Sequence, residues 1–193
     1  MDIALAHRAV TEYAGSKVER IPDGVWGDRT PCSEWDLRDL VHHMVYGSVW
    51  VAPLVEGMTI AEVGDRFEGD LLGEDPRAAW RTASIEACVA FEADGALDRT
   101  VDLSSGPTPA REYAEERVLD LLCHGWDVAR AIAVDDRMPD DLVEVGFAVL
   151  GPREAGWRRS GALGPVVPIP ENADRQTELL AHLGRRATEP VGW

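Results

Sequence analysis

Residues 38–46, RDLVHHMVY, and residues 120–130, DLLCHGWDVAR, each combine helical apolar spacing with histidine. In the second stretch Asp120 and His124 are four residues apart, so both side chains project from one side of the same helix. An imidazole from a neighbouring helix, that of His43, would complete a set of three donors. Two imidazoles and a carboxylate form the ligand set of an open divalent-metal site, in which water or substrate takes the remaining position. The two stretches therefore predict a metal site where these donors meet.

Composition limits the class of protein. The chain has 193 residues, of which 45% are hydrophobic, and this suits one soluble domain with a full core over residues 1–193. We find no apolar run of about 18 residues or more and no signal-peptide pattern, so we expect a cytoplasmic protein without a membrane span. A net charge of −16 without a basic stripe argues against nucleic acid and membranes as partners. Three widely spaced cysteines without a CxxC predict free thiols.

Apolar spacing predicts an all-α architecture. The four longish helices are predicted over residues 2–20, 33–54, 75–95 and 109–133. A fifth helix follows at 140–150, and residues 98–104 could form one short extended piece without a partner strand. Residues 151–170 are rich in Gly and Pro and predict an extended wrap, with a short terminal helix at 172–183. This pattern is typical of a four-helix bundle with extra short C-terminal helices and an extended tail.

Three helix starts follow from capping residues. Ser33 can cap the second helix, with Asp36 in the position of the reciprocal carboxylate. Asp75 can cap the third helix and is followed by a proline at the first helical position. Thr108 stands before Pro109 in the same arrangement at the start of the long fourth helix. These residues predict where each helix begins.

The side chains around the three donors divide by helix flank. His43 shares its flank with Trp50, which could line a pocket or pack in the core. His42 lies on the opposite flank, nearer solvent, so His43 is the better inward ligand. On the long helix Arg117 and Asp127 lie near the carboxylate–imidazole pair. Asp127 could accept a hydrogen bond from a ligating histidine or be solvated, and we favour the second interpretation.

Ordinary structural roles compete with each of these assignments. A single histidine beside an apolar stripe is commonly a hydrogen-bonded structural residue, and an Asp-x-x-x-His pair is often a surface hydrogen bond. Cys123 points about 100° away from the neighbouring histidine, which indicates a core thiol. His7 and His182 stand alone, and we expect both at the surface. The sequence contains no Gly-rich phosphate loop, GxSxG elbow or GxGxxG after a strand.

Three longer segments carry a family resemblance. Residues 30–47, TPCSEWDLRDLVHHMVYG, resemble the T-P-C-x-x-W-x-v-x-D-L-v-x-H segment of the mycothiol-dependent maleylpyruvate isomerase N-terminal family, part of the DinB/YfiT-like metal-binding superfamily. Residues 101–131, VDLSSGPTPAREYAEERVLDLLCHGWDVARA, resemble the second metal-binding helix of the same actinobacterial group. The tail at 164–185, GPVVPIPENADRQTELLAHLGR, is similar to the end of its single-domain members. The resemblance covers nearly the whole chain.

The resemblance implies a DinB-like four-helix bundle with zinc or another divalent ion near one end. By position, the implied ligands are His43, Asp120 and His124. Asp120 stands where the characterised isomerases have glutamate, and the shorter side chain could shift the ion or recruit a water molecule. Those isomerases also carry a C-terminal sterol-carrier-like domain, which we do not expect in this protein.

The family also implies thiol chemistry, because an ion with an open position can hold a small thiol as the nucleophilic thiolate. We therefore predict a divalent-metal-dependent S-transferase or isomerase that acts with mycothiol on an electrophilic substrate. Zinc is the expected metal, although two imidazoles and a carboxylate also suit nickel, iron or manganese. The alternative is a non-catalytic metal-binding helical bundle. The sequence leaves the substrate open, and also whether the protein is a homodimer.

Overall fold

The computed structural model describes residues 2–187, and most of that range is helical. The helices are α1 (Ile3–Val18), α2 (Leu37–Val49), α3 (Val51–Val55), α4 (Ile60–Val63), α5 (Pro76–Glu92), α6 (Ala110–Ala131), α7 (Asp140–Ser160) and α8 (Arg175–His182). A 3-10 turn at Ala96–Asp98 precedes two short strands, β1 (Thr100–Leu103) and β2 (Gly106–Pro109). The predicted mainly helical fold class is confirmed.

Four helices form the bundle. α1 packs against α5 and α6, and α2 packs against the same two helices. The side chains between them are almost fully buried, among them Val10, Leu40, Met44, Leu121 and Leu122. α7 packs against α6, and α8 packs against α7, so the C-terminal helices cover one side of the bundle. Within residues 2–187 none of the helices is long and apolar enough to cross a bilayer.

The N-terminal cap of α2 is Asp36, so the predicted cap at Ser33 is wrong. The Asp36 carboxylate accepts the backbone N–H of Asp39 at 2.9 Å, and the Asp39 carboxylate accepts the backbone N–H of Asp36 at 3.3 Å. This reciprocal pair is a capping box displaced by one turn from the predicted one. The single helix predicted here also ends earlier, at Val49, and the short α3 follows directly.

A hairpin stands where the sequence predicted a lone extended piece followed by a turn, and that prediction is wrong. β1 and β2 pair antiparallel, with Leu103 opposite Gly106. Thr108 does not cap α6, because its hydroxyl donates to the Gly106 carbonyl at 3.0 Å inside the hairpin. The segment predicted as a turn, residues 106–109, is therefore β2, the partner strand of β1. The connection between the strands, Ser104 and Ser105, reaches the functional site described below.

α7 continues through Pro152 for ten residues beyond the predicted end at 150, so the predicted wrap is wrong for residues 151–160. A proline inside a helix costs about 3 kcal/mol. Contacts with other helices oppose that cost. Arg153 forms an ion pair with Glu115 on α6, and the Arg158 guanidinium donates to the carbonyl of His182 on α8 at 2.8 Å. Periodicity within one segment could not show these contacts.

The last segment follows the prediction more closely. Residues 161–174 are irregular, and α8 lies inside the predicted range of 172–183. The Asp174 carboxylate caps α8 by accepting the backbone N–H of Thr177 at 2.8 Å. Gly184 follows with a φ of +80°, which ends the helix. The ends of the predicted domain, Met1 and residues 188–193, lie outside the described residues.

His7 is fully buried, although the sequence predicted it at the surface. Its Nδ1 lies 3.6 Å from Cys88 Sγ, and its ring packs against the edge of Phe91. Burial, with a smaller contribution from Arg117, lowers the pKa of this imidazole to about 3. A neutral histidine therefore forms part of the core between α1 and α5. Cys88 and the other two cysteines are free, as predicted.

Candidate metal centre

The packing of α2 against α6 brings the three predicted donors together. Asp120 Oδ1 lies 3.2 Å from His43 Nε2 and 3.4 Å from His124 Nε2. The two imidazole rings have centroids 4.9 Å apart and an interplanar angle of 74°. One donor atom from each residue lies within 4.8 Å of the other two. Side chains 77 residues apart in the sequence thus converge on one point.

The spacing of these donors fits a divalent ion. Zinc bonds to nitrogen and oxygen of about 2.0–2.1 Å in a tetrahedral site imply ligand atoms about 3.4 Å apart. The two distances from Asp120 match that edge length. Asp120 and His43 have side chains 27% and 33% exposed, so a ligand position facing solvent remains accessible. His43, Asp120 and His124 could therefore hold an ion with an open position.

A buried carboxylate orients His124. The Nδ1–H of its imidazole donates to Asp127 Oδ2 at 2.9 Å, and Asp127 is fully buried. This hydrogen bond favours the tautomer in which Nε2 carries a lone pair and faces Asp120. The favoured interpretation of Asp127 as a solvated residue is therefore wrong, because its carboxylate is buried and accepts a hydrogen bond from His124.

Two residues that the sequence did not indicate as part of the site, Arg185 and Cys32, also contact Asp127. Arg185 donates to Asp127 Oδ1 at 2.9 Å and to Oδ2 at 2.8 Å. Cys32 Sγ lies 3.4 Å from Asp127 Oδ2 and 4.0 Å from His124 Nδ1. Cys32, His124 and Asp127 form a second cluster of metal-ligand type, but the Arg185 guanidinium already supplies its positive charge, 3.4 Å from the sulfur. We therefore interpret Cys32, Asp127 and Arg185 as residues that orient His124, and not as a second metal site.

A second guanidinium holds the other side of Asp120. Arg117 Nη1 donates to Asp120 Oδ2 at 2.9 Å, while Oδ1 faces the imidazoles. Arg117 is only 7% exposed, and it passes so close to Gly47 that a Cβ there would overlap the guanidinium. Glycine at 47 therefore makes room for the group that fixes the Asp120 carboxylate.

Aromatic side chains surround the histidines, and His42 lies elsewhere. The Trp35 ring stacks on His43 with centroids 4.7 Å apart and an interplanar angle of 33°, and its centroid lies 5.9 Å from that of His124. Trp50 lines a neighbouring cavity. His42, in contrast, places its Nε2 2.9 Å from the Gly69 carbonyl, on the other side of α2. The T-P-C-x-x-W segment carried the only sequence signal for Cys32 and Trp35.

Two cavities open beside the centre. The first, of about 480 Å³, is named here the aromatic cavity; its apolar lining comprises Tyr46, Trp50, Leu54, Ile60, Leu103 and Tyr113. The second cavity, of about 540 Å³, reaches Cys123, His124, Trp157 and Arg185. Asp120, Glu116 and the hairpin turn at Ser104 and Ser105 line both. Two small molecules could therefore approach Asp120 from different sides.

Comparison with known proteins identifies the family. Residues 7–129, more than half of the chain, match the family described as the mycothiol maleylpyruvate isomerase N-terminal domain. The chain belongs to this family. Among its relatives are two proteins from two strains of Mycobacterium tuberculosis, each named an uncharacterized protein. Each is 28% identical over 193 residues, which cover 96% of this chain and 98% of the relative.

Solved structures share the fold of this member of the mycothiol maleylpyruvate isomerase N-terminal family. The crystal structure of the mycothiol-dependent maleylpyruvate isomerase superposes with a TM-score of 0.63 at 17% identity, over 88% of this chain and 75% of that chain. A mutant form of the same isomerase superposes with a TM-score of 0.64 at 16% identity, with the same coverage. At these identities the likeness establishes the fold alone.

The charges in this family member are strongly coupled. Burial would lower the pKa of His124, but the carboxylates of Asp120 and Asp127 raise it well above its ordinary value. Burial would raise the pKa of Asp120, but Arg117 and His124 hold it well below its ordinary value. The pKa of Asp127 is also lowered against the effect of burial, by His124 and Arg185. The carboxylates that favour a proton on His124 also favour a divalent cation, so the two compete.

Proposed function

We propose that this protein is a mycothiol-dependent isomerase or S-transferase whose thiol is activated by a divalent ion. The observation that carries the proposal is the convergence of His43, Asp120 and His124 at distances that suit a tetrahedral ion. Membership of the mycothiol maleylpyruvate isomerase N-terminal family supports mycothiol as the thiol. The hydrogen bond from His124 to the buried Asp127 supports a role for the imidazole as a ligand.

The side chains of the site have distinct roles in this proposal. His43, Asp120 and His124 would hold the ion, which when bound supplies positive charge that keeps a thiol ionised at neutral pH. Arg117 fixes the Asp120 carboxylate, and Asp127 with Arg185 fixes the His124 ring. The two cavities let a thiol and an electrophile reach the centre from different sides.

The reaction needs an electrophile with a conjugated carbon–carbon double bond. The thiolate sulfur forms a bond to the terminal carbon of the conjugated system, and the π electron pair moves to the carbonyl oxygen. Rotation about the resulting single bond, followed by expulsion of the thiolate, returns the double bond in the other geometry. If a proton is added to the carbon next to the carbonyl instead, the product is the thioether. One site could therefore support isomerisation or S-transfer.

Calorimetry of mycothiol with the zinc-loaded protein tests the proposal. The wild type should bind mycothiol, and His124→Ala should abolish binding, because the ion loses a ligand. His42→Ala is the matched control, since that histidine lies on the same helix as His43 but bonds the Gly69 carbonyl. Absence of mycothiol binding to the wild type would contradict the proposal. Thiol binding without turnover of any conjugated electrophile would favour the non-catalytic bundle instead.

A further inference from the structure

Glu116 lies at the junction of the two cavities. It is on α6, one turn before Asp120, and it lines both the aromatic cavity and the second cavity. Residues four positions apart share one face of a helix, so Glu116 and Asp120 face the same space. Asp120 is assigned to the ion, whereas Glu116 is outside the proposed ligand set. The junction therefore holds one carboxyl group that a molecule in either cavity can reach.

The charged side chains next to Glu116 on α6 are engaged in ion pairs. Glu115 pairs with Arg153 on α7, and Arg117 pairs with Asp120. Glu116 itself has no hydrogen bond or ion pair within the part of the chain that the structure describes. A carboxyl group held by a guanidinium stays ionised, whereas an unpaired one in a cavity wall is available for proton transfer.

The surroundings of Glu116 favour a proton on its carboxyl group. Burial raises the pKa of Glu116 above its ordinary value. Two guanidinium groups oppose this shift, those of Arg153 and Arg117. Two carboxylates add to it, those of Glu112 and Glu115. A divalent ion would lower the pKa again, but its carboxylate ligand and a bound thiolate together balance its two positive charges. A carboxyl group with a raised pKa can take up and give back a proton near neutral pH.

We infer that Glu116 transfers the proton in the S-transfer reaction, from the sulfur of the thiol to the α-carbon of the electrophile. The inference rests on the proposed function for the reaction itself. The S–H proton first passes to the Glu116 carboxylate. The sulfur then bonds the β-carbon, and the π electron pair moves to the carbonyl oxygen. When that pair returns, the α-carbon takes the proton from the Glu116 carboxyl group, so a C–S and a C–H bond form and no further reactant is needed.

The two possible products need this proton transfer to different extents. Isomerisation expels the thiolate again and puts no proton on carbon, whereas thioether formation is complete only when the α-carbon is protonated. Loss of the Glu116 carboxyl group should therefore slow S-transfer more than isomerisation.

Proton release on thiol binding tests the role of Glu116 without turnover. Calorimetry of mycothiol with the zinc-loaded protein at about pH 7, in two buffers of different ionisation enthalpy, gives the number of protons released per bound thiol. Glu116→Gln should release about one, because a free thiol is protonated at this pH and binds as the thiolate. The wild type should release clearly fewer, because Glu116 takes up part of the released protons. Glu86→Gln, which loses the same charge at an exposed position on α5, is the matched control and should match the wild type.

The metal centre of Glu116→Gln should be intact. Its affinity for zinc, measured by competition with a chromophoric chelator, should equal that of the wild type, since Glu116 is not a proposed ligand. Equal proton release by the wild type and Glu116→Gln would overturn the inference.

The products formed from two probes test where the proton goes. The Z isomer of benzylideneacetone is uncharged and maleate is a dianion, so the pair leaves the charge of the natural electrophile open. Each probe can isomerise at its double bond or add mycothiol, and chromatography separates the products. Glu116→Gln should form thioether about 100-fold more slowly, whereas isomerisation should slow less. Thioether formation at the wild-type rate, or equal slowing of both reactions, would overturn the inference.

The two proposals fail in different ways. Mycothiol binding that depends on His124, together with equal proton release by the wild type and Glu116→Gln, would support the proposed function and overturn the role of Glu116. Absence of mycothiol binding to the wild type would contradict the proposed function, and the role of Glu116 would fall with it.

Discussion

Asp127→Asn tests whether the hydrogen bond to His124 orients a ligand. Arg185 donates to both carboxylate oxygens, and His124 Nδ1 donates to one of them. In the variant, the amide N–H group would replace one of these oxygens and face a hydrogen-bond donor of Arg185 or His124. If it turns towards His124, the imidazole proton moves to Nε2, the atom that faces Asp120. The wrong tautomer then removes one of the three donors from the metal site.

The expected effect can be estimated. Loss of an outer hydrogen bond to a ligand typically weakens metal affinity by about 10–100-fold, or about 1.4–2.7 kcal/mol. The metal-free protein should also lose about 3 kcal/mol of stability, because the fully buried Asp127 no longer supplies the negative charge that pairs with His124 and Arg185. In a chain of this length that loss lowers the melting temperature by roughly 6–12 °C.

Competition with a chromophoric chelator measures the affinity of Asp127→Asn for zinc, and thermal melting of the metal-free protein measures its stability. Asp65→Asn, at an exposed position, is the control for loss of one negative charge and should match the wild type in both assays. Zinc affinity of Asp127→Asn equal to that of the wild type would show that the Asp127 hydrogen bond does not govern metal binding.

Four further predictions use the same assays. Gly47→Ala should displace Arg117 and weaken zinc binding about tenfold or more, and unchanged binding would contradict this. Trp35→Ala should loosen both imidazole rings and lower the affinity for zinc about tenfold, whereas Trp35→Phe should retain that affinity. An equal loss of zinc affinity in both variants would argue against a role for stacking. Zinc affinity should rise with pH, because the raised pKa of His124 lets a proton compete with the ion. The metal-free protein should lose stability as pH rises through that pKa. A zinc affinity that falls with pH, or a metal-free stability that rises with pH, would contradict these expectations. Removal of zinc present at a hundred times its Kd should lower stability by about 2.7 kcal/mol and the melting temperature by roughly 5–10 °C, and an unchanged melting temperature would exclude a tightly held ion.

The bundle itself was predictable because its signal is local. α1, α5 and α6 follow apolar stripes of helical period, and Asp75 caps α5 as predicted by accepting the Ala78 N–H at 3.0 Å. The predictions are wrong where contacts between distant parts of the sequence determine the structure. α7 passes through Pro152 because Arg153 and Arg158 are held by side chains and carbonyls on other helices. The hairpin was not predictable because its second strand, residues 106–109, contains two prolines and a glycine, which favour a turn.

The candidate site was predictable only in part. Helical spacing placed Asp120 and His124 on one flank, and both the flanks of the second predicted helix and the resemblance selected His43 over His42 as their companion. Neither argument indicated Arg185, which lies 58 residues from Asp127 in the sequence and follows the end of α8. The cavities depend on the hairpin turn and on Trp50, so they too required the folded chain.

Elemental analysis of untagged protein tests the existence of the metal centre most directly. We expect about one divalent ion per chain. His43→Ala, Asp120→Ala and His124→Ala should each lose it, while His42→Ala should keep it. Wild-type protein without a stoichiometric ion after exposure to zinc, or three single variants that all retain it, would contradict the assignment of these side chains as its ligands.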